Sequence, residues 1–229
     1  HYTLELNEAY VGLRYDSIFT GVANQNLKYH KDDVQSEMDK LKGDLVIKYY
    51  PTKTASVNTI SAHLKRITTL GTEVDMVIVD YGDILKDTQF AKEVRHALGN
   101  IYEDLRGLAG EFQIPIWTAS QANRSALDED VIEAQKVSES YQKVMTADFV
   151  MSLSRKVEDK IGNTGRFHVI KNRFGPDGIT FPAKVNTNTG IINIYESSSV
   201  GGKEQQTKID NRDNLMKGML KNRYDDLMK

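Results

Sequence analysis

Two hydrophobic periods alternate along the first half of the chain. Met76-Val77-Ile78-Val79 is an unbroken apolar run closed by Asp80, the pattern of a parallel strand covered on both faces. Ile114 to Ala119 repeats it and leads into Ser120-Gln121-Ala122-Asn123-Arg124. Between these strands and before them the period changes to that of a helix. Val57, Ile60, Leu64 and Ile67 form one stripe between Ser56 and Leu70, and Val94, Leu98, Ile101, Leu105 and Leu108 form another between Ala91 and Phe112. Helices are also predicted from Glu8 to Val22 and from Lys31 to Lys42, the second closing near Gly43. His63 lies off its helix stripe and reads as a solvated residue.

Strand signals fill the remainder. Tyr2 to Leu6 reads as the end of a strand, and Asp44 to Tyr50 as a short β-rich run (Leu45, Val46, Ile47) stopped by Pro51. Asp148 to Ser154, Gly165 to Lys171, Ile179 to Val185 and Ile191 to Tyr195 follow, with a turn at Gly175-Pro176-Asp177-Gly178. Residues 125–146 are polar and irregular until a short helix near Ser138 to Met145. Alternating strands and helices followed by hairpins predict an α/β fold with a mostly parallel sheet and antiparallel C-terminal hairpins. The main domain is expected over residues 1–196. Residues 197–229 read as a flexible linker and a charged tail, in which Leu215, Met219, Leu220, Leu227 and Met228 give a weakly amphipathic helical pattern. A mobile tail is the favoured reading there, and a partner-docking helix the other.

Composition narrows the function only by exclusion. At 229 residues, 39% apolar and 27% charged, the chain has the make-up of a globular protein with one substantial core. A net charge of −2 gives no global basic field for nucleic acid, although local basic loops remain open. No cysteine is present, which excludes disulfides, zinc–thiolate sites and thiol chemistry and agrees with a reducing compartment. No signal peptide or bilayer-length apolar run is seen, so the expected setting is cytoplasmic, with no membrane. The chain opens at His1 within an apparent strand end, and it contains no GxxxxGK[ST] loop. A piece of a longer protein is the favoured explanation; a protein that never had a phosphate loop is the other.

Candidate chemistry gathers at predicted strand ends. Glu5 follows the first, Asp80 ends the next marked one, Gln121 stands just after the third, and Lys171 and Arg173 flank Asn172 at the end of a fourth. Open α/β sheets bind ligands at the carboxyl ends of their strands. Triphosphate cleavage calls for a carboxylate to orient water, a carboxylate for Mg²⁺, a polar group near the γ-phosphate, and cations for the developing charge. Each residue alone has a plainer reading. Asp80 could cap the next turn, Glu5 could be an exposed acid, Gln121 a loop hydrogen bonder, and Lys171 and Arg173 solvated strand residues.

Taken in order, Thr-Leu-Glu-Leu, Val-Ile-Val-Asp-Tyr, Leu-Arg-Gly-Leu-Ala-Gly-Glu-Phe with Ile-Pro-Ile-Trp, Ser-Gln-Ala-Asn-Arg, Thr-Ala-Asp-Phe-Val and Lys-Asn-Arg-Phe-Gly-Pro resemble the C-terminal, RecA-like motor domain of DnaB-family replicative helicases, phage-type members above all. The resemblance covers about residues 1 to 195. It implies a three-layer RecA-like P-loop NTPase core using ATP and Mg²⁺, in which Glu5 activates the attacking water and Asp80 holds Mg²⁺, through water. Gln121 would couple the γ-phosphate to DNA-binding loops, and Lys171 and Arg173 would act in trans on a neighbouring subunit's nucleotide. DNA contacts would come from the loops Asp83 to Phe90 and Asn123 to Thr146, with Lys86, Arg124, Lys136 and Lys143 as candidates; solvated loops are the equal alternative.

The resemblance further implies unwinding of duplex DNA during replication, translocation on single-stranded DNA, a hexameric ring, and primase or a helicase loader as partners. Two departures qualify this. Without the phosphate loop, poor ATP hydrolysis by this chain alone is expected, together with a gap in the sheet where the loop's strand belongs. Without the family's helical N-terminal domain, hexamers of this chain alone are not expected. The rival readings are a RecA- or KaiC-like recombination or signalling ATPase and a non-enzymatic RecA-like scaffold.

Overall fold

The computed structural model describes residues 1–123, 126, 129–137 and 141–227. The chain divides into two compact units, His1–Asn123 with Ala134–Asp148, and Arg124–Glu133 with Phe149–Lys229. The first carries a four-stranded parallel sheet in the order β2-β1-β3-β4, built from β1 (Tyr2–Thr3), β2 (Lys48–Tyr49), β3 (Val77–Asp80) and β4 (Ile116–Thr118). Tyr2 pairs with Val79 and Thr3 with Asp80, and Leu4 N–H donates to the Asp80 carbonyl at 3.0 Å. This register puts the segment after β1 and the end of β3 side by side at one end of the sheet.

Two amphipathic helices supply the core against this sheet. In α3 (Val57–Thr69) Val57, Ile60 and Leu64 are buried, and in α4 (Val94–Phe112) so are Leu98, Ile101, Leu105 and Leu108. All of these but Leu98 join Leu4, Val77 and Val79 in one cluster. Ser56 starts α3 with a capping box, its hydroxyl accepting from Thr59 N–H while the Thr59 hydroxyl accepts from Ser56 N–H. Helix α1 (Glu8–Thr20) is capped by the Asn7 side chain and ends at Gly21, whose φ of 71° is left-handed. Helix α2 (Lys31–Met38) stops four residues short of the predicted Lys42.

Several sequence expectations are corrected here. The Leu45–Ile47 run is not a strand: only Lys48 and Tyr49 pair, and Leu45 and Val46 are exposed. Val94 opens α4 with its side chain exposed, not on the buried stripe. His63 is not merely solvated. Its Nδ1 lies 2.8 Å from the Tyr2 hydroxyl and its ring meets Tyr2 edge-on. Burial, then the charges of Lys48, Arg66 and the amino terminus, hold its pKa below the ordinary 6.5.

The second unit is an antiparallel sheet in the order β5-β6-β7-β8, formed by β5 (Phe149–Ser154), β6 (Thr164–Asn172), β7 (Thr180–Asn186) and β8 (Ile191–Ile194). Its core is Phe167, Ala183 and Val185 with Leu153 and Phe181. A short helix α6 (Val157–Gly162) precedes β6, and a long helix α7 (Val200–Leu227) packs on β6, β7 and α6. Gly201 and Gly202, read from sequence as linker, lie inside this helix, and Ile209 is fully buried. Buried Arg166 accounts for the attachment: its guanidinium donates to Asp159 at 2.7 Å and to Asp213 of α7 at 3.2 Å. No helix among the described residues is long and apolar enough to cross a membrane.

Candidate functional site

The parallel register builds the site at the carboxyl ends of β1, β3 and β4. Glu5 lies two residues beyond Thr3, the partner of Asp80, in a turn fixed by Thr3 Oγ1 donating to the Leu6 carbonyl at 2.7 Å and Thr52 Oγ1 donating to the Leu4 carbonyl at 2.8 Å. At the end of β3, Gly82 N–H donates to Thr118 Oγ1 at 2.8 Å, and that hydroxyl donates to the Val79 carbonyl at 2.9 Å. A Cβ at Gly82 would lie 3.1 Å from the same Thr118 oxygen, so glycine permits the close approach that ties β3 to β4. The loop after β4 then carries Gln121 over this end of the sheet.

Tyr81 joins the three strand ends. Its hydroxyl donates to Glu5 Oε1 at 3.4 Å and accepts from Gln121 Nε2 at 3.3 Å. Burial, then the Glu5 carboxylate, then Asp83 and Asp80, push the Tyr81 phenol above its ordinary pKa. Glu5 and Asp80, at adjoining strand ends, offer hard carboxylate oxygens of the kind a divalent cation takes. No group of three or more metal-ligating side chains occurs among the described residues. Mg²⁺ keeps several waters and takes only one or two carboxylates with the substrate's phosphates, and the Asp80 and Glu5 carboxylates are the ones that could hold it.

Beneath the Gln121 loop lies a buried polar cluster that sequence reasoning did not find. Asp83 accepts from Lys143 Nζ at 2.8 Å and from Ser120 Oγ at 2.9 Å on one oxygen, and from the Tyr102 hydroxyl at 2.7 Å on the other. Lys143 also donates to Ser120 Oγ at 3.0 Å. Lys143 is therefore corrected as a DNA-contacting residue. Its side chain is 2% exposed, it belongs to α5 (Gln142–Thr146), and its ammonium is taken up by Asp83. Tyr102 is held far above the usual phenol range by burial and then by the Asp83 charge. Asp83, only three residues past Asp80, was the available sequence signal, but its partner lies 60 residues away.

The other candidates divide as follows. Lys86 is exposed just past the turn Gly82–Ile84. The loop it opens is organised by Asp87, whose carboxylate accepts from Gln89 N–H and Ala91 N–H and leaves Phe90 81% exposed at the tip. The Lys136 carbonyl accepts from Asn123 N–H at 2.8 Å, two residues beyond Gln121. Arg124 lies outside the described residues. Lys171 and Arg173 belong to the second unit, at the end of β6 and in the turn after it. Asn172 shapes that turn, donating to the Pro176 carbonyl at 3.2 Å and accepting from Phe174 N–H at 3.2 Å. The structure thus brings Glu5, Asp80 and Gln121 together and carries Lys171 and Arg173 on a separate hairpin.

Against this geometry, the sequence profile of the DnaB-like helicase C-terminal domain matches residues 3–187. The chain belongs to the DnaB-like helicase C-terminal domain family. A DnaB-like replicative helicase of Enterobacteria phage T4 is 30% identical over 137 residues, which are 58% of this chain and 29% of that protein. The chain therefore spans under a third of the length of this DnaB-like relative. Among solved structures, an ATPase domain aligns with a TM-score of 0.70 at 19% identity, covering 85% of this chain and 73% of its own. A DnaB-like replicative helicase solved for its interactions with primase gives 0.69 at 19% identity, covering 85% and 51%. The RadB recombinase gives 0.50 at 12% identity, covering 85% and 78%. At such identities these matches speak for the fold alone, and that fold is the RecA-like α/β arrangement of helicase ATPase domains.

Proposed function

We propose that the chain is the ATPase motor of a replicative ring helicase, hydrolysing ATP to move along single-stranded DNA and unwind duplex DNA. What carries this reading is the meeting of Glu5 and Gln121 at the Tyr81 hydroxyl, beside Asp80 at the strand ends of a DnaB-like domain. Glu5 orients the attacking water and accepts its proton, a role worth on the order of 10²–10⁴ in rate. Asp80 would hold Mg²⁺, which when bound would supply neutralisation of the phosphate charge. Gln121 senses the γ-phosphate. Lys171 and Arg173 reach nucleotide on a neighbouring subunit of a hexamer, where an arginine finger contributes about 10³-fold or more.

Lys86, Lys136 and the exposed Phe90 contact DNA. Lysine pairs with phosphates and makes binding salt-dependent, while an aromatic tip stacks on bases without reading sequence. Arg124 is a further phosphate contact in this proposal, and primase or a helicase loader are the protein partners. This chain's residues contain no GxxxxGK[ST] loop to cradle the phosphates, so the chain by itself turns over ATP poorly. The test is ATP turnover and forked-duplex unwinding by the full product of the gene, with and without single-stranded DNA. DNA-stimulated, Mg²⁺-dependent turnover coupled to unwinding supports the proposal. Filaments on DNA without unwinding would favour a recombination ATPase, and no turnover at all would favour a scaffold; either result overturns it.

A further inference from the structure

We propose that Tyr81 is a positioning residue that makes the Glu5 carboxylate answer to the state of Gln121. The inference rests on the reading of Glu5 as water-orienting base and Gln121 as phosphate sensor, and it adds the link between them. The Tyr81 hydroxyl donates to Glu5 Oε1 at 3.4 Å and accepts from Gln121 Nε2 at 3.3 Å. One hydroxyl has a single proton to donate and lone pairs to accept with, so the three groups form a directed chain from amide to hydroxyl to carboxylate. Each bond in such a chain polarises the next.

The surroundings decide which part of this chain can move. Leu4 N–H is bonded to the Asp80 carbonyl, and Gly82 N–H to Thr118 Oγ1. Ser120 is held by Asp83 and Lys143. The backbone on both sides of Tyr81 and just before Gln121 is therefore fixed, whereas the Gln121 side chain is exposed. Separations of 3.3 and 3.4 Å are longer than usual for such hydrogen bonds, so both are weak and a modest rotation of Gln121 ends its contact. When Gln121 turns to a phosphoryl oxygen, the Tyr81 oxygen loses its incoming proton donor and becomes a weaker donor to Glu5. Glu5 Oε1 is then released to accept a hydrogen bond from water. Without a phosphoryl group for Gln121, Tyr81 keeps that oxygen occupied.

The test is side-chain amide NMR of this chain, in which Gln121 is assigned by the signal lost in Q121M and compared in the wild type, E5Q, Y81F and the double variant. Gln113 and Gln142, whose amides donate to the Gly110 carbonyl and to Glu103, report that the fold is retained. The proposal predicts that E5Q moves the Gln121 amide when Tyr81 is present and leaves it in place in the Y81F background. An E5Q effect that is absent, or equal in both backgrounds, overturns it. No nucleotide is needed, so this outcome is independent of whether hydrolysis is found. In the full gene product, Y81F leaves Glu5 Oε1 unoccupied by Tyr81 whether or not Gln121 has a phosphoryl partner, so kcat is not lowered. A tenfold or greater loss of kcat in Y81F would also overturn the link.

Discussion

Replacing Asp83 with alanine removes the carboxylate that neutralises the Lys143 ammonium, whose side chain is 2% exposed. Lys143 would be left with Ser120 Oγ at 3.0 Å as its acceptor. Breaking a buried pair from one side costs about 3–5 kcal/mol, because the remaining charge is uncompensated. The Tyr102 hydroxyl adds little to that loss, since it keeps the Ala119 carbonyl at 3.2 Å. K143M is expected to be milder, about 1–2 kcal/mol: Asp83 retains its Tyr102 and Ser120 donors, is 14% exposed, and the methionine refills the space. The double variant D83A/K143M leaves no charge behind and is expected to be about 2–3 kcal/mol more stable than the sum of the single losses. Urea denaturation of the four proteins measures this, provided the m-values agree. Equal single losses that add within about 0.5 kcal/mol would refute the cluster as a charged lock.

Two further outcomes follow from the same geometry. His63 is held below its ordinary pKa of 6.5 by burial first and then by Lys48, Arg66 and the amino terminus, so the unfolded chain binds the proton more readily. Its contribution is present above about pH 6.5 and declines as pH falls through the lowered folded value; stability against pH should flatten there in H63N, and an unchanged slope would contradict this. In single-stranded DNA binding by the full gene product, K86A should reduce the salt dependence by about one phosphate contact. K143M should leave that slope unchanged, and the reverse ranking would contradict the engagement of the Lys143 ammonium by Asp83.

How far the sequence spoke for itself depended on the range of the interaction. Helices α3 and α4 were legible because Ile60, Leu64, Leu98 and Leu105 recur at helical spacing and all four prove buried. Strand β3 and its terminal Asp80 were legible because an apolar run closed by a carboxylate is a local pattern. Leu45–Ile47 misled because β-branched composition records propensity, not the pairing partner a strand needs. The α7 start misled because Gly201 and Gly202 disfavour helix, and burial of Ile209 with the Arg166–Asp213 pair overrides that preference. At the site, Glu5, Asp80 and Gln121 were visible as residues at strand ends. Tyr81 carries no signal of its own in the sequence, and Lys143 reads there as a DNA-contacting loop cation, because each takes its place from a partner brought close only by the fold.

The central claim is that Glu5 and Asp80 serve one hydrolytic site, and single-turnover hydrolysis of ATP by the full gene product with E5Q tests it most directly. With single-stranded DNA and saturating Mg²⁺–ATP, E5Q should slow cleavage by about 10²-fold or more while binding a non-hydrolysable analogue as tightly as the wild type. Cleavage by E5Q at the wild-type rate would contradict the account.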